Sequence, residues 1–243
     1  MRIPSKPLIF AILAASLISA PALALPDWTG VYVAARDPAN PGIFLSSPNL
    51  KESQMPVLTP EYQKIYEVNH ASLLSGSLEH DKTAACGYPG LPLNMSIAYG
   101  GEILMTPGRV TIITEWAGDV RRIFTDGRGH PDDLYPSMQG HSIGHWNGDD
   151  LIVDTIGISP KAALNTLGSQ QSDQMHITER FHEYKPGFLE IDYHIEDPKA
   201  FAKPYDFKIT WKRSPYKDDY IHEYQCDNNN DAVQYGGKTD KKP

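Results

Sequence analysis

The chain has 243 residues, with 22 basic and 30 acidic side chains and a formal net charge of −8. A nucleic-acid binder would present a basic field, so this balance argues against that class. Residues 1–24 read as a removable export signal: Arg2 and Lys6 supply positive charge, residues 8–18 form an apolar run too short to span a membrane, and Ala22-Leu23-Ala24 fits a cleavage site. Removing it leaves roughly 219 residues with a charge near −10, a size that a single β domain often reaches. No later stretch is apolar enough for a membrane span, so the expected compartment is the periplasm or the exterior. The chain has two cysteines, Cys86 and Cys226, and an even count in an oxidising compartment predicts one disulfide, with two buried thiols as the alternative. Such a bridge would close a loop of about 140 residues and contribute about 4–5 kcal/mol.

Residues 25–100 read as an extended lead-in with one helix and a loop. Pro, Asn and Ser dominate residues 27–60, with a strand expected over 31–35. Thr59, Pro60 and Glu61 form a helix start, with an N-cap, proline at the first helical position and an acid in the first turn. The predicted helix covers residues 60–74, with Tyr62, Ile65, Tyr66 and Leu73 or Leu74 along one stripe. Residues 86–95 (CGYPGLPLNM) carry prolines at 89 and 92 and should be loop.

From residue 102 the apolar period becomes two, the mark of half-buried strands. A strand over 103–105 leads to a turn at 106–108. Four hairpins follow: 109–116 with 119–125 around Ala117-Gly118, 141–146 with 149–156 around Asn147-Gly148, 175–182 with 188–196 around 184–187, and 206–213 with 219–226. The polar tail after residue 227 reads as disordered. About nine strands in a meander tend to close on themselves to remove their edges. Residues 101–226 are therefore expected to form an all-β, antiparallel, lipocalin-like barrel beside one N-terminal helix, with a curved sandwich as the alternative.

Alternation assigns faces. Met175, Ile177 and Phe181 share a face with Glu179. Leu189, Ile191, Tyr193 and Ile195 share another, as do Phe207, Ile209 and Trp211. A carboxylate in an apolar stripe must be paired or neutral, and Arg122, alternating with Val120 and Phe124, is its expected partner. If Asn147-Gly148 is a two-residue turn, Trp146 pairs with Asp149 and His141 faces Asp154. That is a histidine oriented by a carboxylate, as general-base chemistry requires. The loop over 127–140 lies at the barrel mouth and offers Asp126, Arg128 and His130.

GHSIG at 140–144 matches the serine-hydrolase elbow, but a hairpin follows it where the elbow needs a helix. His141 and His145 are too far apart on a strand to share an ion. A metal site assembled across strands from His130, His141 or His176 is the alternative. No dinucleotide or phosphate loop occurs, so no cofactor is expected.

The stretches EILMTPGRVTI (102–112), RRIFTDGRGHP (121–131), GHSIGHWNGDDLIVDT (140–155) and HITERF (176–181), with Asp197-Pro198 and Tyr224 to Cys226, together resemble a widespread family of exported bacterial proteins. The segments TPEY (59–62) and PGLPLNM (89–95) fit it as well. The resemblance spans most of the mature chain and departs from the common pattern at 147–150. It implies export and a shared fold, and brings no activity with it.

The expected function is a periplasmic barrel enzyme performing cofactor-independent acid–base chemistry, of the lyase or isomerase kind, on a small apolar or aromatic molecule. Glu179 and His141, the latter oriented by Asp154, would exchange protons. Arg122, Tyr193 and Trp146 would contact the ligand, with Asp126, Arg128 and His130 at the mouth. The rivals are a non-catalytic small-molecule carrier and a metal-assisted or serine hydrolase.

Overall fold

The structure is a computed structural model that describes residues 25–35, 37–77, 79–80, 87–96, 100–216 and 219–224. The export signal, the expected disulfide between Cys86 and Cys226, and the tail over 227–243 lie outside the described residues. Nine strands form a closed barrel among the described residues: β1 (Gly30–Ala34), β2 (Gly101–Thr106), β3 (Arg109–Thr114), β4 (Asp119–Phe124), β5 (His141–Asn147), β6 (Asp150–Ile156), β7 (His176–Lys185), β8 (Phe188–Glu196) and β9 (Tyr205–Arg213). Among the described residues one α-helix, α1 (Pro60–Leu74), lies outside it, and the expected loop over 86–95 runs into a single 3-10 turn at Leu93–Ser96. The all-β barrel with one flanking helix is as the periodicity predicts. No helix among the described residues is long and apolar enough to cross a membrane.

Alternation builds the core. Ile103, Ile112, Ile123, Leu151, Val153 and Ile177 point inward and are all but inaccessible, as are Phe181, Leu189, Ile191 and Ile209. Leu91, Leu93 and Met95, from the proline-rich segment, join the same cluster, and the Met95 carbonyl accepts from the Trp211 indole at 2.9 Å. The helix presents Tyr62 and Asn69 inward, and Asn69 donates to the Gly168 carbonyl at 3.0 Å. Leu74 stays exposed.

Three expectations are corrected. First, residues 219–224 form no strand, so β9 has no hairpin partner there; its free edge is taken by β1, with Val33 opposite Lys212 and Ala34 opposite Trp211. Closure pairs both remaining edges at once. Second, β4 and β5 run parallel, with Ile123 beside Ser142, because residues 125–140 carry the chain back along the outside of the barrel. Third, β3 ends at Thr114, ahead of Trp116, and Ala117 (φ 60) and Gly118 (φ 59) make a left-handed turn into β4.

The β5–β6 hairpin decides the site. Asn147 pairs with Asp150, so Gly148 and Asp149 form the loop in place of Asn147-Gly148. Gly148 has φ 63 whereas Asp149 stays out of the left-handed region, which is the II′ pattern of glycine at the first central position. His141 therefore faces Ile156, and Asp154 faces Ile143. The shift is two residues from the expected pairing, which keeps every side chain on its face.

Candidate functional site

Strands β4 to β7 carry two polar clusters, one on each face of the same wall. The inner one centres on Arg121, which takes the role expected of Arg122. Its Nη1 donates to Glu179 Oε1 at 2.7 Å and its Nη2 to Glu179 Oε2, making a two-pronged ion pair. Nη2 also donates to Thr155 Oγ1 at 3.1 Å, and Ser142 Oγ accepts at 3.3 Å. Burial disfavours the guanidinium charge, but Glu179 outweighs that and holds it charged. Burial, reinforced by Glu179, pushes the Tyr193 phenol well above its usual range. All of these groups are sealed from solvent. Ser142, the serine of the GHSIG match, lies within a strand, 2.8 Å from Thr155 Oγ1, and has no strand-to-helix turn around it. Trp146 is also remote from the outer cluster and packs on Trp28, with ring centroids 5.1 Å apart.

The outer cluster is a chain of four side chains. Asp154 Oδ1 accepts from His130 Nε2 at 2.7 Å, and Oδ2 accepts from His176 Nε2 at 2.7 Å. His130 Nδ1 lies 2.8 Å from His141 Nδ1. The expected His141–Asp154 contact is thus replaced by a relay through His130, which the 125–140 loop delivers. Gly140 lets that loop turn into β5: its φ is +63, and a Cβ there would sit 2.6 Å from the Ile156 carbonyl oxygen.

With His130 neutral, the bonding pattern assigns the protons. A carboxylate only accepts, so His130 donates through Nε2. A neutral His130 then has a bare Nδ1, which accepts from His141 Nδ1–H. His141 Nε2 is left unprotonated. Burial, with the Arg128 guanidinium nearby, holds the His141 pKa below its ordinary 6.5. Burial pulls Asp154 upward, but its bonds from His176 and His130 outweigh that and keep its carboxyl below the usual range.

His141 lines an open cleft of about 470 Å³ with Tyr88, Asp119, Arg122, Phe124 and Gln139. The Phe124 ring stacks on His141 at 5.4 Å and carries the Arg128 guanidinium 4.0 Å above its centroid. Arg128 is paired in turn with Asp126 at 2.6 Å. Burial raises the Asp119 pKa above the carboxylate norm despite a hydrogen bond from Gln139. Of the expected site residues, His141, Asp154, His130, Arg122, Asp126 and Arg128 gather here, while Glu179, Tyr193 and Trp146 do not. Sequence reasoning missed Tyr88, Gln139 and Asp119 as cleft walls. It considered His176 as a metal ligand alone, and placed Phe124 on the inner face.

Other clusters are balanced. His182, Glu190 and Asp192 each bring one ligand atom within 4.8 Å of the others, the one group with metal-like spacing among the described residues. Lys208 already sits 3.1 Å from Glu190, and Arg180 sits 3.4 Å from Asp192. His130 binds its two neighbours through opposite ring nitrogens, whereas an ion would take one nitrogen, so the His130–His141–His176 group is a hydrogen-bonded chain in form. A recess outside β6–β9 is walled by Arg180, Asp192, His194 and Lys208, and each of these is paired.

No protein-family model matches this chain, and no curated protein matches it. The functional reading rests on the geometry.

Proposed function

We propose that this chain is an exported enzyme that moves protons on a small molecule bound in the outer cleft, without a cofactor, in chemistry of the elimination or isomerisation kind. The observation that carries this reading is the Asp154–His130–His141 chain, which leaves a bare imidazole nitrogen at a cleft wall. His141 Nε2 takes a proton from the substrate. The imidazolium that forms is stabilised through His130 by the Asp154 carboxylate, which His176 holds from its other oxygen. In an isomerisation the same Nε2–H returns the proton to another substrate atom, so the enzyme ends as it began. Asp119, whose carboxyl pKa burial raises above its ordinary range, lines the same cleft wall. His130 and Asp154 are positioning residues. Glu179 and Tyr193 have no part in this chemistry, since burial keeps substrate from them.

Nitrogen-15 NMR of the histidine side chains tests the reading directly. At pH 7, His141 should carry its proton on Nδ1 and His130 on Nε2. Asp154→Asn should disturb both, and His141 should react with diethylpyrocarbonate at Nε2. A His141 with its proton on Nε2, or one that is doubly protonated at pH 7, sinks the general-base assignment.

A further inference from the structure

Arg122 stands out among the charged groups of the wall. It points outward from β4, and the parallel register that sets Ile123 beside Ser142 places it next to His141. It lines the same cleft. Three other arginines of the wall and its loop are occupied. Arg121 is held by Glu179, Arg128 by Asp126, and Arg180 by Asp150 and Asp192. Arg122 has no hydrogen-bond or ion-pair partner among the described residues. Arg109, opposite Phe124 one step further along β3, is exposed on the same outer face and equally unpaired. The nearby acids are engaged: Asp154 by two histidines, Asp126 by Arg128 and Asp119 by Gln139. Within a chain of net charge −8, Arg122 therefore presents an unpaired guanidinium beside His141.

We propose that the cleft takes a small carboxylic acid with a planar apolar body, its carboxylate on the Arg122 guanidinium and its body against Tyr88. The inference rests on the reading of His141 as base and names the substrate class for it. A guanidinium presents a planar fork that matches a carboxylate in two parallel bonds, which fixes orientation as well as charge. Anchoring one end of the substrate on Arg122 brings the adjoining proton to the neighbouring His141 Nε2. Tyr88 and Met138 supply apolar wall, and a cleft of about 470 Å³ is in the range of small-molecule sites. An acidic protein repels anions at long range, so the local unpaired guanidinium has to supply the selectivity.

The test is an NMR titration of the mature chain with phenylacetate, its neutral amide and inorganic phosphate, on the wild type and on Arg122→Gln. Arg122 is exposed, so the variant should fold normally, and its amide spectrum checks this. Phenylacetate should bind saturably, shift the His141 and Arg122 side-chain signals, and bind at least tenfold more tightly than phenylacetamide or phosphate. Arg122→Gln should remove that preference. Equal binding of the amide, phosphate binding as tight as phenylacetate, or an unchanged affinity in Arg122→Gln each overturns the proposal. The same spectra show which His141 nitrogen is protonated. Arg122-dependent phenylacetate binding beside a proton on Nε2 upholds the carboxylate site and removes the base. A bare Nε2 with no preference for phenylacetate does the reverse.

Discussion

The two faces of the β4–β7 wall use neighbouring residues for opposite ends. Arg121, Ser142, Thr155 and Glu179 point inward, while Arg122, His141, Asp154 and His176 point outward. Inside, a full charge pair is locked by two hydroxyls and closed to water. Outside, a half-exposed chain of imidazoles ends on a bare nitrogen at a cleft. Burial separates the two: it makes the inner pair structural, because ions out of water must keep their partners, and it leaves the outer groups open to the cleft.

The largest expected effect tests the inner face. Removing one partner, as in Glu179→Leu or Arg121→Met, should cost about 3–5 kcal/mol in urea unfolding, while the double variant should recover most of the loss. A double variant as unstable as the singles would show that the pair does more than balance its own charge. On the outer face, His141→Gln should unfold like the wild type but lose turnover by about 10²–10⁴-fold on any substrate found, the range of general-base catalysis. Asp154→Asn should also lower turnover, because it disturbs the proton positions on His130 and His141.

Acidification sharpens the contrast further. The fold holds His141 below 6.5 and Asp154 below 3.8. The unfolded chain therefore takes up these protons first, and stability falls as pH drops from about 6.5 for His141 and from about 3.8 for Asp154. The wild-type urea midpoint should decline more steeply than that of His141→Gln between pH 6.5 and 5. Parallel slopes would mean that His141 titrates alike in both states. The smallest effect belongs to the exposed Asp126–Arg128 pair: Arg128→Ala should leave the unfolding midpoint unchanged while loosening the stack on Phe124, visible as altered aromatic NMR shifts.

Much of this was legible in the chain itself. The period-two runs, with turn residues between them, place the strands from β2 to β9, and Thr59, Pro60 and Glu61 mark the helix. The inward faces of β7 and β8 follow from their apolar alternation, and with them the buried Glu179. The composition of β4 pointed the wrong way. Val120 and Phe124 make the even positions look like the inner face, yet Asp119, Arg121 and Ile123 are buried there. Glu179 and the Ser142 and Thr155 hydroxyls satisfy Arg121, and none of them is near it in sequence. At β5–β6, the residues Asn147, Gly148 and Asp149 allow two hairpin loops, and only the assembled ladder selects Gly148-Asp149. Because the two registers differ by two residues, His141 and Asp154 share a face in either one, but that face is the outer one, away from Glu179, and the two side chains do not stand opposite each other.

The sequence by itself determined the class of fold, the strands and the residue types of the site, since those follow from local periodicity and turn chemistry. Tertiary structure decided what joins them. The closure of β9 on β1, the partner of Glu179, and the entry of His130 between His141 and Asp154 all depend on contacts between distant segments. A loop of 125–140 that carries no periodicity of its own has its course set by where its ends are held and by the imidazole it delivers.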